Sequence, residues 1–205
     1  MTTAFTAVGW LWLGAPAAAQ TPDASIEEAP RRKHMLSTSM FMVANALPDP
    51  PQFVQLNYGF RITERDTLLV EAMHWRYPGP QGIPYGPTWG DAEFDFPGFA
   101  RDMGIGLAYQ RFWWKGLFTT VHATPFRQSY HRPDGERIQT GFQLFLVARA
   151  GYHIPLWRDR LWIEPSVACT WWPVNTNLPA SFAAQEDQWP NYFLAEPGLN
   201  IGINL

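Results

Sequence analysis

The sequence predicts an all-β fold, an eight-stranded antiparallel up-and-down β-barrel that spans a membrane. Three observations carry this expectation. From Phe193 to the end, apolar Phe193, Ala195, Pro197, Leu199, Ile201, Ile203 and Leu205 alternate with Leu194, Glu196, Gly198, Asn200, Gly202 and Asn204. That is the period-2 pattern of a strand with two different environments on its faces, Leu194 being the one exception. Seven further alternating segments precede it. Finally, the connections between segments are short and long in a pattern that suits a barrel with two unlike ends.

Composition agrees with this class. The chain has 205 residues, enough for one domain plus a targeting segment. Its net charge of −3 and pI near 5.9 do not point to nucleic acid. Aromatic residues make up 16% of the chain, with 11 Trp, a bias expected where rings sit at membrane–water interfaces. Mean hydropathy is −0.21, too polar for a helical membrane protein but suited to strands that are polar on one face. A single cysteine, Cys169, argues against disulfide scaffolds and cysteine-based zinc sites.

The chain opens with MTTAFTAVGWLWLGAPAAAQ, an apolar stretch followed by Ala17-Ala18-Ala19, which reads as a secretory signal over 1–20. Residues 21–35, with two glutamates and Arg31-Arg32-Lys33, read as a periplasmic linker, and 36–205 as the barrel. The first predicted strand is Leu36 to Leu47. The second, Phe53 to Thr63, turns Val54, Leu56, Tyr58, Phe60 and Ile62 outward, against Gln55, Asn57, Gly59 and Arg61. The third, Thr67 to Tyr77, sets Leu68, Val70 and Ala72 against Leu69, Glu71, Met73 and Trp75. The fourth, Phe99 to Trp114, directs Met103, Ile105, Leu107 and Tyr109 outward and Asp102, Gly104, Gly106, Ala108 and Gln110 inward. The fifth is Leu117 to Tyr130. The sixth, Ile138 to His153, carries Gln143, Arg149 and His153 on its inner face. The seventh, Leu161 to Pro173, carries Glu164, Ser166, Ala168 and Thr170, and the eighth is Asn191 to Leu205.

Short turns follow the second, fourth and sixth strands, at Glu64-Arg65-Asp66, Trp114-Lys115-Gly116 and Trp157 to Arg160. Longer loops run from Gly79 to Pro97 and from Val174 to Pro190. With both termini periplasmic, the long loops face outward. Aromatic pairs at strand ends, such as Trp75 and Tyr77, Trp113 and Trp114, Trp157 and Trp162, and Trp171 and Trp172, predict two interfacial girdles. Pro125, Pro165 and Pro197 fall inside strands, where a closed ring offers no harmless edge, and so imply bulges. The Glu-Pro step recurs at Glu164-Pro165 and Glu196-Pro197.

Leader, eight strands, short inner turns and a terminal amphipathic strand together resemble the small eight-stranded bacterial outer-membrane barrels of the OmpA/OmpX type. The resemblance is one of architecture over Leu36 to Leu205. It implies a porin-like cell-envelope protein of a Gram-negative bacterium, located in the outer membrane and surrounded by outer-membrane lipid. It further implies a monomer, with the C-terminal strand read by the barrel assembly machinery.

An eight-stranded barrel is just wide enough to be filled by side chains or to hold one small ligand. The predicted inner face carries Arg61, Glu71, Asp102, His122, Arg149, Glu164 and Glu196, and enclosed charges must be paired or neutralised. Pairs between Arg61 and Glu71 and between Arg149 and Glu164 are expected, making a polar plug and a structural or interaction role. Two other functions are weighed against it. His122 and Thr124 share a strand face, with Gln110 expected beside His122. They resemble the His-x-Ser pair that barrel lipid A deacylases use as base and nucleophile, although Thr replaces Ser and Pro125 follows. A secreted, lipocalin-like ligand-binding barrel would put the apolar face inside and the charges outside. No histidine spacing suggests a metal, no nucleic acid is expected as a partner and no cofactor is implied.

Overall fold

The computed structural model describes residues 32–48, 50–86, 88 and 90–205, so the expected signal and most of the linker lie outside the described residues. Nine strand segments form one sheet: β1 (His34–Ser39), β2 (Val54–Arg61), β3 (Asp66–Tyr77), β4 (Phe99–Trp114), β5 (Leu117–His131), β6 (Arg137–Tyr152), β7 (Ile154–Leu156), β8 (Leu161–Thr176) and β9 (Tyr192–Asn204). The sheet order is β6-β5-β4-β3-β2-β1-β9-β8-β7, and pairing of β6 with β8 closes the ring. β6 and β7 both pair with β8 and are separated only by His153, so they form one wall. The architecture is therefore the expected eight-stranded antiparallel up-and-down barrel.

The alternation decides which way each strand faces. Met103, Ile105 and Leu107 on β4 are about two-thirds exposed, whereas Asp102, Ala108 and Gln110 are buried. On β2, Val54, Leu56, Tyr58 and Phe60 point out while Gln55, Asn57 and Arg61 are buried. Leu199, Ile201 and Ile203 also face outward. An apolar exterior around a polar interior is the reverse of a lipocalin. In water it would be a very large apolar patch, and hydrocarbon is the medium it suits. At the short-turn end, exposed Trp113, Trp114 and Trp157 lie among charges. Arg111 bonds Asp66 at 2.7 Å and lies over the Trp113 ring, and Lys115 lies over Trp114. Amphipathic rings beside cations are what a headgroup layer accommodates. The tight Lys115-Gly116 connection there has positive φ at both residues, the geometry that matches the twist of the flanking strands.

Four expectations change. The first strand is shorter than Leu36–Leu47: β1 starts at His34 and stops at Ser39, whose hydroxyl accepts from the Phe41 N–H and caps a 3-10 turn over Met40–Ala46. Asn45 then bonds both the N–H and C=O of Phe53, fixing the return into β2. Phe193 lies inside the barrel, out of phase with Leu199, because Leu194 and Ala195 together face the single residue Cys169, and Ala195 takes a φ of 59°. This is a β-bulge, and it shifts the alternation by one residue.

The girdle is only partly external: Trp171 is exposed, but Trp162, Trp172 and Tyr77 are buried in the lumen. Trp172 points inward beside a second bulge, where β6 and β8 change register between Leu144 and Leu146. Lastly, the ring does have an edge. β1 pairs with β9 only from Met35↔Asn204 to Ser39↔Asn200. Above Asn200, β9 retains β8 on one side and has no strand on the other among the described residues. Pro197 falls in that stretch, where an edge strand tolerates proline.

Candidate functional site in the barrel lumen

The lumen is organised in three layers. At the short-turn end a floor is built by Trp162 and Phe118, both essentially inaccessible, with Thr67 and Arg61. Gly202 on β9 makes room for the indole: a Cβ there would lie 2.2 Å from Trp162 Cζ2. His153 Nδ1 is 2.8 Å from Glu164 Oε1, and Gln110 Nε2 donates to both Glu164 oxygens at 3.2 and 3.3 Å. The imidazole also meets the Phe112 ring edge-on.

The middle layer centres on Glu71, which is 3% exposed. Gln55 Nε2 donates to its Oε2 at 2.6 Å and Thr124 Oγ1 donates to its Oε1 at 3.1 Å. His122 Nδ1 stands 3.5 Å from Oε2. Glu71 reaches these groups on β5 across β4 because its register partner there is Gly106. A Cβ at Gly106 would come within 2.1 Å of Thr124 Oγ1. In the same layer Arg149 Nη1 donates to Ser166 Oγ at 2.9 Å, close enough to Glu196 for the two charges to interact.

The upper layer holds Asp102, fully buried. Tyr77 Oη donates to its Oδ2 at 3.1 Å, Gln128 Nε2 donates to Tyr77 Oη, and Tyr130 Oη donates to Gln128. Over this lies the outer cap, the helix α1 (Ala180–Glu186). Its Phe182 is fully buried, stacked on Phe96 at 4.7 Å and edge-on to Tyr130 at 5.3 Å. Trp172 Nε1 donates to Glu186 Oε1 at 3.0 Å, tying the cap to β8. Burial holds the Glu186 carboxyl above the usual glutamate range, against the Trp172 bond, which lowers it.

Between floor and cap remains a cavity of about 430 Å3. Phe53, Met73, Trp75, Phe145, Trp172 and Phe193 line its apolar part, and Glu71, His122, Arg149 and Glu196 its polar part. Its lining also includes Ser39 and Phe41 beyond the end of β1 and Pro197, Gly198 and Leu199 on β9, with Gln81 and Tyr85 from the outer loop.

The predicted inner residues all reach the lumen, but the partners differ. Glu71 is met by Gln55, Thr124 and His122 in place of Arg61, which lies at the Thr67 rung of the same hairpin. Glu164 is met by His153 and Gln110 in place of Arg149. Gln110 is not beside His122: Ala108 is, and Gln110 lies opposite Thr120. His122 and Thr124 converge on the carboxylate of Glu71 and not on each other. A nucleophilic hydroxyl needs its base on the hydroxyl proton, whereas that of Thr124 is given to Glu71 and is 1% exposed. The recurring Glu-Pro step serves two places, Glu164 in the floor and Glu196 in the cavity lining.

No family model matches the chain, and no curated protein matches it. One solved structure does. The crystal structure of Neisserial surface protein A is 11% identical, with a TM-score of 0.41, over 85% of this chain and 95% of that one.

Proposed function

We propose that the chain is an integral barrel of a bacterial outer membrane whose role is structural or interaction-based, carried by its outer loops and its side wall and not by conduction. The observation that carries this reading is the sealed floor: Phe118, Thr67 and Trp162 are at most 1% exposed, and Gln110 and Glu164 interlock beside them. Side chains that fill the bore leave no continuous water path. The apolar exterior and its aromatic and cationic belt support the membrane setting. The surrounding lipid is then the first partner, and β9 is the strand offered to the barrel assembly machinery. A monomer suffices, because β1 and β9 of one chain close the ring.

The test combines location and conductance. The protein is expected in the outer-membrane fraction, with heat-modifiable migration on a denaturing gel, and silent in planar bilayers. The Trp162→Ala/Phe118→Ala double variant is expected to pass current. Recovery as a soluble periplasmic protein, or steady current through the unaltered barrel, would overturn the reading.

A further inference from the structure

We propose that the lumen cavity binds one acyl chain of a neutral amphiphile, which enters sideways from the bilayer between β9 and the 3-10 turn that follows β1. The proposal rests on the membrane setting argued above, but its own basis is the shape and chemistry of the cavity. The cavity lining, which includes Gln81 and Tyr85 of the outer loop, also reaches the wall between Ser39 and Phe41 on one side and Pro197, Gly198 and Leu199 on the other, and the gap in strand pairing there is the entry route assigned to the ligand. That gap exists because β1 ends at Ser39 while β9 continues to Tyr192. Its rims are apolar and exposed: Met40 and Val43 on the 3-10 turn, Leu56 on β2, and Leu194 and Leu199 on β9. A water-borne ligand would have to cross that apolar rim, whereas a lipid chain already lies beside it.

Volume and lining match one chain. About 430 Å3 lies within the range of small-ligand sites, and such sites are apolar with a few fixed polar groups. Here the aromatic walls would hold the chain, and Tyr85 closes over Phe193 edge-on at 4.7 Å. Of the lining charges, Glu71 already has Gln55, Thr124 and His122 around it, and Arg149 lies close enough to Glu196 to interact with it. Each of these charges thus has a partner within the barrel. The backbone edge of β9 along the gap offers polar groups at membrane depth, which are tolerated where they line a cavity or meet a polar partner. A hydroxyl or ester at the chain's end is such a partner.

The probe is 1-monopalmitoylglycerol, added to the full barrel folded in dodecyl maltoside and counted by native mass spectrometry. One molecule per barrel is expected to be retained. Val147→Trp and Met73→Trp fill the cavity and are expected to weaken retention at least about tenfold. Gly198→Leu narrows the gap, since a Cβ there would lie 2.2 Å from Arg149 Nη1, and should act likewise. Val121→Trp adds the same bulk to the lipid face and is expected to leave retention unchanged. Heat-modifiable migration verifies that each variant folds. Equal retention in the folded cavity variants, or none by the unaltered barrel, overturns the proposal while leaving the membrane setting intact. Palmitate binding as tightly as the glycerol ester overturns the neutral headgroup. Recovery of the protein as soluble overturns the setting itself.

Discussion

Glu71 is the residue on which the middle of the lumen depends. Three side chains from two other strands turn toward its carboxylate, and water cannot replace it at 3% exposure. Removing one member of a buried charged set leaves its partners unsatisfied, at a cost of about 3–5 kcal/mol. Glu71→Ala is therefore expected to lower the denaturant midpoint of the folded barrel strongly. Thr124→Val, which removes a single donor, should cost about 1–3 kcal/mol. Equal effects of the two would mean that Glu71 has no central role. Glu186 makes a different prediction. Burial, aided by repulsion from Asp187, raises its pKa above the ordinary 4.5. A raised carboxyl favours the docked cap most when protonated, so its contribution is complete below pH 4.5 and is lost as pH rises through the raised value. Protection factors of the α1 amides, corrected for intrinsic exchange, should fall across that interval, and Glu186→Gln should remove the fall.

Among the elements, the cap and the two bulges determine the form of the cavity. Phe182 is the anchor of α1, and Phe182→Ala should cost about 3–5 kcal/mol of cap docking. The expected result is faster exchange confined to residues 177–191, with heat-modifiable migration unchanged; loss of that migration would mean the cap is needed for the barrel to fold. Alternation made β2, β3 and β4 legible in the sequence nearly to the residue, because inward and outward side chains alternate along all of β2, from Asp66 to Ala72 on β3 and from Asp102 to Gln110 on β4. The bulge at Leu194-Ala195 was signalled only by Leu194 breaking the pattern. An alanine at positive φ carries no sequence mark as a glycine would. Trp172 was misplaced for a related reason, since an aromatic residue at a strand end suits a headgroup layer or a lumen equally. The end of β1 was hidden because Met40 to Ala44 is apolar throughout, and the cue lay in Ser39 and Asn45, whose backbone bonds stop the strand. The Glu71–His122 contact needed both the strand register and the missing side chain of Gly106.

At the scale of the whole molecule, neighbouring strands along the chain form hairpins, and among the described residues only the β1–β9 pairing joins distant parts of the sequence. β4 and β5 pair from Phe99↔His131 down to Trp114↔Leu117, a ladder roughly three times the length of the seam. Local ladders form readily, whereas closing the ring must overcome the entropy of the whole intervening chain.

The seam of five rungs therefore governs how the molecule breathes. An antiparallel ladder running only from Met35↔Asn204 to Ser39↔Asn200 has little cooperativity to hold it shut. Its amides should exchange with solvent deuterium well before those of β4 and β5, and uniform exchange around the ring would contradict this. The same weakness gives the barrel a hinge line: opening a few hydrogen bonds beside Ser39 would widen the mouth of the cavity without disturbing the floor at Trp162, so passage through the wall and integrity of the bore are separable properties of one chain.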